Sequence, residues 1–274
     1  MQVGFVRKKL KFQYYMKLEF SEIVINHSYA VKCLPKSNLR QEIEEVKISI
    51  GPSEGSLGED DDVFGNHIYY GNMMAPHKEF YISVEGSAST LIGDRREERL
   101  NERVLGFYRY ASKYTKPGAC IKKYYMDLKK KKTEYEKLAP LKKAEYFMNE
   151  LYKDFSYVSG VTNIGTSAEE AFEGGRGVCQ DYAHIMISLC RLAGIPARYV
   201  VGFMIGEGYS HAWVEIAQEG YWYGLDPTNN LWIDENYIKV SAGRDYGDCI
   251  IDKGSFVGNA LQNQTICVKV VEEK

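Results

Sequence analysis

Residues Gly174 to Pro196 constrain this chain more than any other stretch. Gly174-Gly175-Arg176-Gly177 makes a loop with few obstructing side chains, and after it Tyr182, Ile185, Met186, Leu189, Leu192 and Ala193 recur at helical spacing. Gly194 and Pro196 follow where a helix-ending glycine and a later proline are expected. The pattern predicts a buried helix with Cys179 in its first turn. A sulfur there sits beside unpaired backbone N–H groups and the positive end of the helix dipole, both of which favour thiolate over thiol. Most free cysteines are instead buried structural thiols, and that is the reading for Cys33, Cys120, Cys190, Cys249 and Cys267.

The six cysteines contain no CxxC pair and no spacing that suggests zinc or a disulfide framework, so they are read as free thiols. On one helix, Cys179 and Cys190 would stand about 16 Å apart, far beyond disulfide reach. His184 follows Cys179 by five residues, roughly 140° around the helix, and is expected to face away from the sulfur.

Beyond the helix, Arg198 to Phe203 reads as a buried strand, and His211 to Ile216 and Tyr221 to Asp226 as two more. If Ala217-Gln218-Glu219-Gly220 is the connecting loop, Trp213 faces Gly224 and His211 faces Asp226 across the hairpin. A carboxylate there can accept the proton of an imidazole nitrogen; a three-residue loop with a bulge would shift the register by one. Trp213 and Glu215 share the face of His211 by alternation, and either lines a cleft or supports it. Tyr209 and Ser210, after Gly206-Glu207-Gly208, are candidates for a mobile lip.

The rest of the chain divides by texture. Residues 1–15 read as an N-terminal extension. From Met16 to about residue 100 short alternating runs such as Val46-Lys47-Ile48-Ser49-Ile50, broken by glycine and proline, predict an antiparallel β domain. Its acidic run Glu59-Asp60-Asp61-Asp62 fits an EF-hand poorly, because Phe64 and Gly71 would fall at ligand positions, and reads as a solvated turn. Residues 101–274 alternate charged helical stretches with strands and form the second domain. Lys129 to Lys132 is followed at once by Glu134 and Glu136, so it reads as a solvated helix face rather than a nucleic-acid patch.

The 35 basic and 37 acidic side chains nearly cancel, which leaves no global field to draw the chain onto nucleic acid or an anionic membrane. No segment approaches the roughly 20 apolar residues of a membrane span, and no signal peptide is apparent, so the expectation is a cytoplasmic protein. The oligomeric state is left open.

Taken in order, Gly177-Val178-Cys179-Gln180-Asp181-Tyr182-Ala183, Gly194-Ile195-Pro196-Ala197-Arg198-Tyr199-Val200, His211-Ala212-Trp213-Val214-Glu215 and Asp226-Pro227-Thr228-Asn229 resemble the core of bacterial transglutaminase-like proteins. Asp62-Val63-Phe64-Gly65-Asn66 is similar to the β domain that precedes this core, and Gly243-Arg244-Asp245-Tyr246-Gly247-Asp248 to its C-terminal segment. The resemblance implies an α+β protein: a papain-like, transglutaminase-type domain preceded by an antiparallel β domain. It implies Cys179 as nucleophile, His211 as general base and then acid, and Asp226 as the group that fixes the imidazole tautomer.

Such a site cleaves or deamidates an amide of a peptide or protein through a thioester, without cofactor or metal. The alternatives are acyl transfer to an amine, or a peptide-binding module whose triad is unused. The backbone N–H of Cys179 is the natural first oxyanion donor. Animal transglutaminases take a second from an upstream aromatic residue, a position that Tyr157, Phe172 and Trp213 do not clearly match; their calcium-binding residues have no evident counterpart here.

Overall fold

The computed structural model describes residues 6–52 and 56–273. The first strand, β1 (Arg7–Val31), runs for 25 residues. Leu10, Phe12, Tyr14, Met16, Leu18 and Phe20 are buried, while Lys11, Tyr15 and Glu19 between them are exposed, the two-residue period of a sheet with one solvated face. Residues 7–15, expected as an extension, are therefore sheet. The alternation begins at Leu10, and lysines at its exposed positions give it the look of a tail.

Strands β2 (Gln41–Gly51), β3 (Ser56–Asp61), β4 (His67–Met73) and β5 (His77–Leu91) follow, with β5 paired to both β1 and β2 and β4 paired to β1 and β3. Next come β6 (Arg96–Arg99), the one-turn α1 (Glu102–Leu105), α2 (Ala119–Lys131), α3 (Pro140–Asp154), β7 (Ser156–Tyr157), α4 (Ala168–Gly174), β8 (Arg176–Gly177) and α5 (Cys179–Leu192). The second large sheet contains β9 (Ala197–Met204), β11 (His211–Gln218), β12 (Tyr221–Asp226), β13 (Leu231–Trp232) and β14 (Tyr237–Gly243), in the order β13-β12-β11-β9-β14. The short β10 (Gly206–Gly208) leaves this sheet, and β15 (Asp252–Val257) and β16 (Gln262–Glu272) end the chain.

These last strands correct the expected division at residue 100. Every residue of β1 from Leu10 to Phe20 pairs with β16, and Ile25 to Val31 lie against β15. The two ends of the chain thus build one β domain, while β6 pairs with β12 in the other sheet. The physical reason is the edge of β1, which would otherwise present a long row of unpaired backbone groups.

The two units are also pinned by side chains. Asp62 Oδ1 accepts the N–H groups of Phe64 and Asn66, and its Oδ2 accepts the Asn66 amide and the Lys32 ammonium. Asn66 then bonds both the carbonyl (2.8 Å) and the N–H (2.7 Å) of Ala242 in β14. Gln41 similarly brackets Lys239 on the same strand. The acidic run is thus partly a structural joint. Lys129 pairs with Glu136 and Lys131 with Glu150, so part of the lysine run is balanced by neighbouring carboxylates.

Candidate active site

Helix α5 forms as its sequence predicts, and nearly all of it is buried. Its end is closed by the Ile195 N–H bonding back to the Cys190 carbonyl at 2.9 Å. At the start, Asp181 Oδ2 accepts the Val178 N–H at 2.8 Å and the Thr162 hydroxyl at 2.7 Å. A Cβ on Gly177 would lie 2.3 Å from that same oxygen, so the turn needs a glycine there. Burial raises the Asp181 carboxyl, with these two bonds opposing. Cys179, half-buried, follows this fixed turn with its N–H at the open end of the helix.

His211 opens β11. The hairpin to β12 turns at Glu219 and Gly220, both at positive φ (49° and 82°), a two-residue connection that suits the twist of the strands. Gln218 pairs with Tyr221 and Glu215 with Gly224, so the register differs by two residues from that of a four-residue loop. A shift of two preserves the faces, because side chains alternate with period two. His211 and Asp226 therefore still meet, with Nε2 donating to Oδ2 at 2.7 Å.

Asp226 is fully buried and saturated with donors. Oδ2 also accepts the Tyr237 hydroxyl (2.9 Å) and the Asn229 amide (2.7 Å), and Oδ1 accepts the Thr228 N–H at 2.9 Å. Burial pushes its carboxyl up, but the bonds from His211, Asn229 and Tyr237 outweigh that and hold it below the usual range. For His211, burial favours the neutral ring, yet the Asp226 carboxylate bonded to it and the nearby Cys179 sulfur prevail and push its pKa up to about 10. The rings of Trp213 and Tyr237 flank the imidazole at 6.5 and 6.2 Å between centroids. With Nε2 engaged by Asp226, Nδ1 is the nitrogen left for the sulfur.

Cys179 and His211 line one cavity of about 530 Å³. One wall comes from Val178, Gln180, Tyr199 and Ser210, and the other from the β domain: Leu18, Asp252, Phe256 and Ile266 among others. Residues from both ends of the chain thus shape the cleft.

Matches to known proteins agree with this architecture. The bacterial transglutaminase-like N-terminal region matches residues 10–89, and the transglutaminase-like superfamily core matches residues 128–227, which include Cys179, His211 and Asp226. An uncharacterized protein of Mycobacterium bovis is 30% identical over 275 residues, covering 90% of this chain and 87% of the relative. The chain belongs to the transglutaminase-like superfamily. A second uncharacterized relative, from Mycobacterium leprae, is 40% identical over 124 residues; the match covers 42% of this chain and 44% of that protein.

This transglutaminase-like chain also shares 41% identity over 70 residues with a protein-glutamine gamma-glutamyltransferase of Pseudomonas aeruginosa, a match covering 21% of this chain and 10% of that one. A crystal structure from Cytophaga hutchinsonii, described as a "putative cysteine protease", superposes with a TM-score of 0.77 over 98% of this chain and 92% of that chain, at 23% identity. That likeness establishes the fold.

Other residues singled out from the sequence take supporting positions. Glu215, fully buried, is held by Arg198 and Lys239, which both also reach Glu98. Trp213 is enclosed, so neither it nor Glu215 lines the cleft. His184 faces away from the sulfur as expected, but it is fully buried, stacked on Tyr114, and accepts the Tyr246 N–H at 3.1 Å. Of the aromatic residues weighed as upstream donors, Phe172 packs on Tyr124, whereas the exposed Tyr157 stands on β7, paired with Gly177 two residues before Cys179.

Sequence reasoning missed Tyr237, which nothing distinguishes among 22 tyrosines, and placed Tyr199 on a buried strand without giving it a place in the cavity wall. The β domain itself is expected from the sequence to shape the cleft, but the individual wall residues, such as Leu18, Asp252 and Phe256, have no motif that names them. Cys120, Glu169 and Glu173 approach one another within 4.8 Å, but Glu169 already caps α2 through the N–H groups of Gly118, Cys120 and Ile121.

Proposed function

We propose that this protein is a cysteine-dependent amidase acting on a peptide or protein through a thioester. The observation that carries the reading is the His211–Asp226 pair sharing one cavity with Cys179, with room there for a peptide segment. With its pKa near 10, the imidazole rests as imidazolium opposite the sulfur. The Cys179 sulfur attacks the amide carbonyl, and the Cys179 N–H steadies the oxyanion. His211 gives its proton to the departing amine as the C–N bond breaks. The neutral ring then takes a proton from water as water attacks the thioester, releasing a carboxylic acid and returning the thiolate–imidazolium pair.

Hydrolysis is preferred to acyl transfer because water needs no additional binding site. Incubation with a blocked glutaminyl peptide, with and without dansylcadaverine, tests both steps. The expected result is ammonia and free acid from the native chain, a Cys179-linked acyl adduct by mass spectrometry, and neither from Cys179→Ala. Predominant capture by the amine would replace hydrolysis with transamidation. Absence of an adduct across a library of blocked peptides would favour the peptide-binding module.

A further inference from the structure

Opposite Cys179, the cavity is walled by the two C-terminal strands. Asp252, Gly254 and Phe256 alternate along β15, and Gln262, Gln264 and Ile266 along β16, so one face of each strand looks into it. Among them is a single carboxylate. Asp252 is half-buried, and the exposed Gln264 donates through Nε2 to its Oδ2 at 2.6 Å. Burial raises its carboxyl, opposed only by Gln264 and a backbone bond, with no cation contributing.

The other titratable groups lining the cavity do not neutralise it. Lys253 is exposed and forms no ion pair with Asp252 among the described residues. His27 is held neutral by burial and then by His77, with its pKa down to about 4. His211, on the opposite wall, is engaged by Asp226. A half-buried carboxylate that faces a cavity and forms no ion pair among the described residues is available to a ligand's counter-charge. Phe256 and Ile266 add apolar surface to the same cavity, suited to an alkyl stem that ends in a charge.

We propose that Asp252, held by Gln264, is a specificity subsite that selects substrates carrying a primary ammonium on a short alkyl stem near the scissile acyl group, as in a lysine or other diamino-acid side chain. The proposal rests on the reading of Cys179 as the nucleophile. Asp252→Asn removes the charge and keeps an acceptor for Gln264.

The test compares rates of Cys179 modification by 2-aminoethyl, methyl and 2-sulfonatoethyl methanethiosulfonate, which are cationic, neutral and anionic, read by peptide mass spectrometry in the native chain and Asp252→Asn. The cation-to-neutral rate ratio should fall at least about fivefold in the variant, and the anion-to-neutral ratio should rise, as expected for loss of one charge from a partly screened cleft. The neutral rate should stay within about twofold. Unchanged ratios with a reactive Cys179 would overturn the subsite and leave the nucleophile reading standing. A Cys179 that resists even the neutral reagent in both proteins would overturn the nucleophile reading and the subsite with it.

Discussion

His211 Nε2 and Asp226 Oδ2 lie 2.7 Å apart although the two residues are not cross-strand partners. Val214 pairs with Leu225, so the register carries Asp226 towards Trp213 and leaves His211 on the diagonal. Diagonal neighbours on one face are within reach of long side chains, and the donors around Asp226 fix its carboxylate at the correct end of that reach.

The pair should govern Cys179 reactivity. The folded-state pKa of His211, about 10, lies above its ordinary 6.5, so the stability that its charge lends is complete below about 6.5 and lost as pH rises through about 10. Iodoacetamide alkylation of Cys179 at pH 6 should fall at least about tenfold in His211→Ala, consistent with loss of an adjacent imidazolium. Equal rates in the two proteins at pH 6 would contradict the assignment.

Tyr237→Phe removes one of several donors to Asp226 and keeps the ring beside the imidazole. We expect a loss of about 1.5–3 kcal/mol in urea unfolding, the range for one hydrogen bond to a charged group. Cys179 alkylation should remain faster than in His211→Ala, because Asn229 and the Thr228 N–H still hold the carboxylate.

Asn66→Ala should loosen the joint between the two units. It leaves the N–H and the carbonyl of Ala242 without their side-chain partners in a buried strand, at a cost of about 2–6 kcal/mol for two such groups. Denaturant unfolding measures the loss. Asn66→Asp, which keeps an acceptor and loses the amide donor, should not restore it.

His184 gives a separate acid signature. Burial, then Arg191, lowers its pKa from 6.5 to about 3, so it folds neutral and is protonated more readily when unfolded. Its contribution is present above about 6.5 and is lost as pH falls towards about 3, at roughly 1.4 kcal/mol per pH unit. In His184→Gln, which can still accept the Tyr246 N–H, the pH dependence of stability between 6 and 4 should shallow by about one proton.

The sequence itself determined the local elements that carry the candidate site. Glycine before and after a helical apolar stripe set the limits of α5, and period-two alternation put His211 and Asp226 on one face whichever even register the hairpin took. Those are consequences of neighbours in the chain. Tertiary structure decided the rest, because it depends on contacts between residues far apart in sequence. It chose the two-residue turn, brought Tyr237 onto Asp226, and turned Asn66 from a loop residue into a clamp on Ala242. It also folded β15 and β16 back along β1, where they cover its open edge and set Asp252 across the cavity from Cys179.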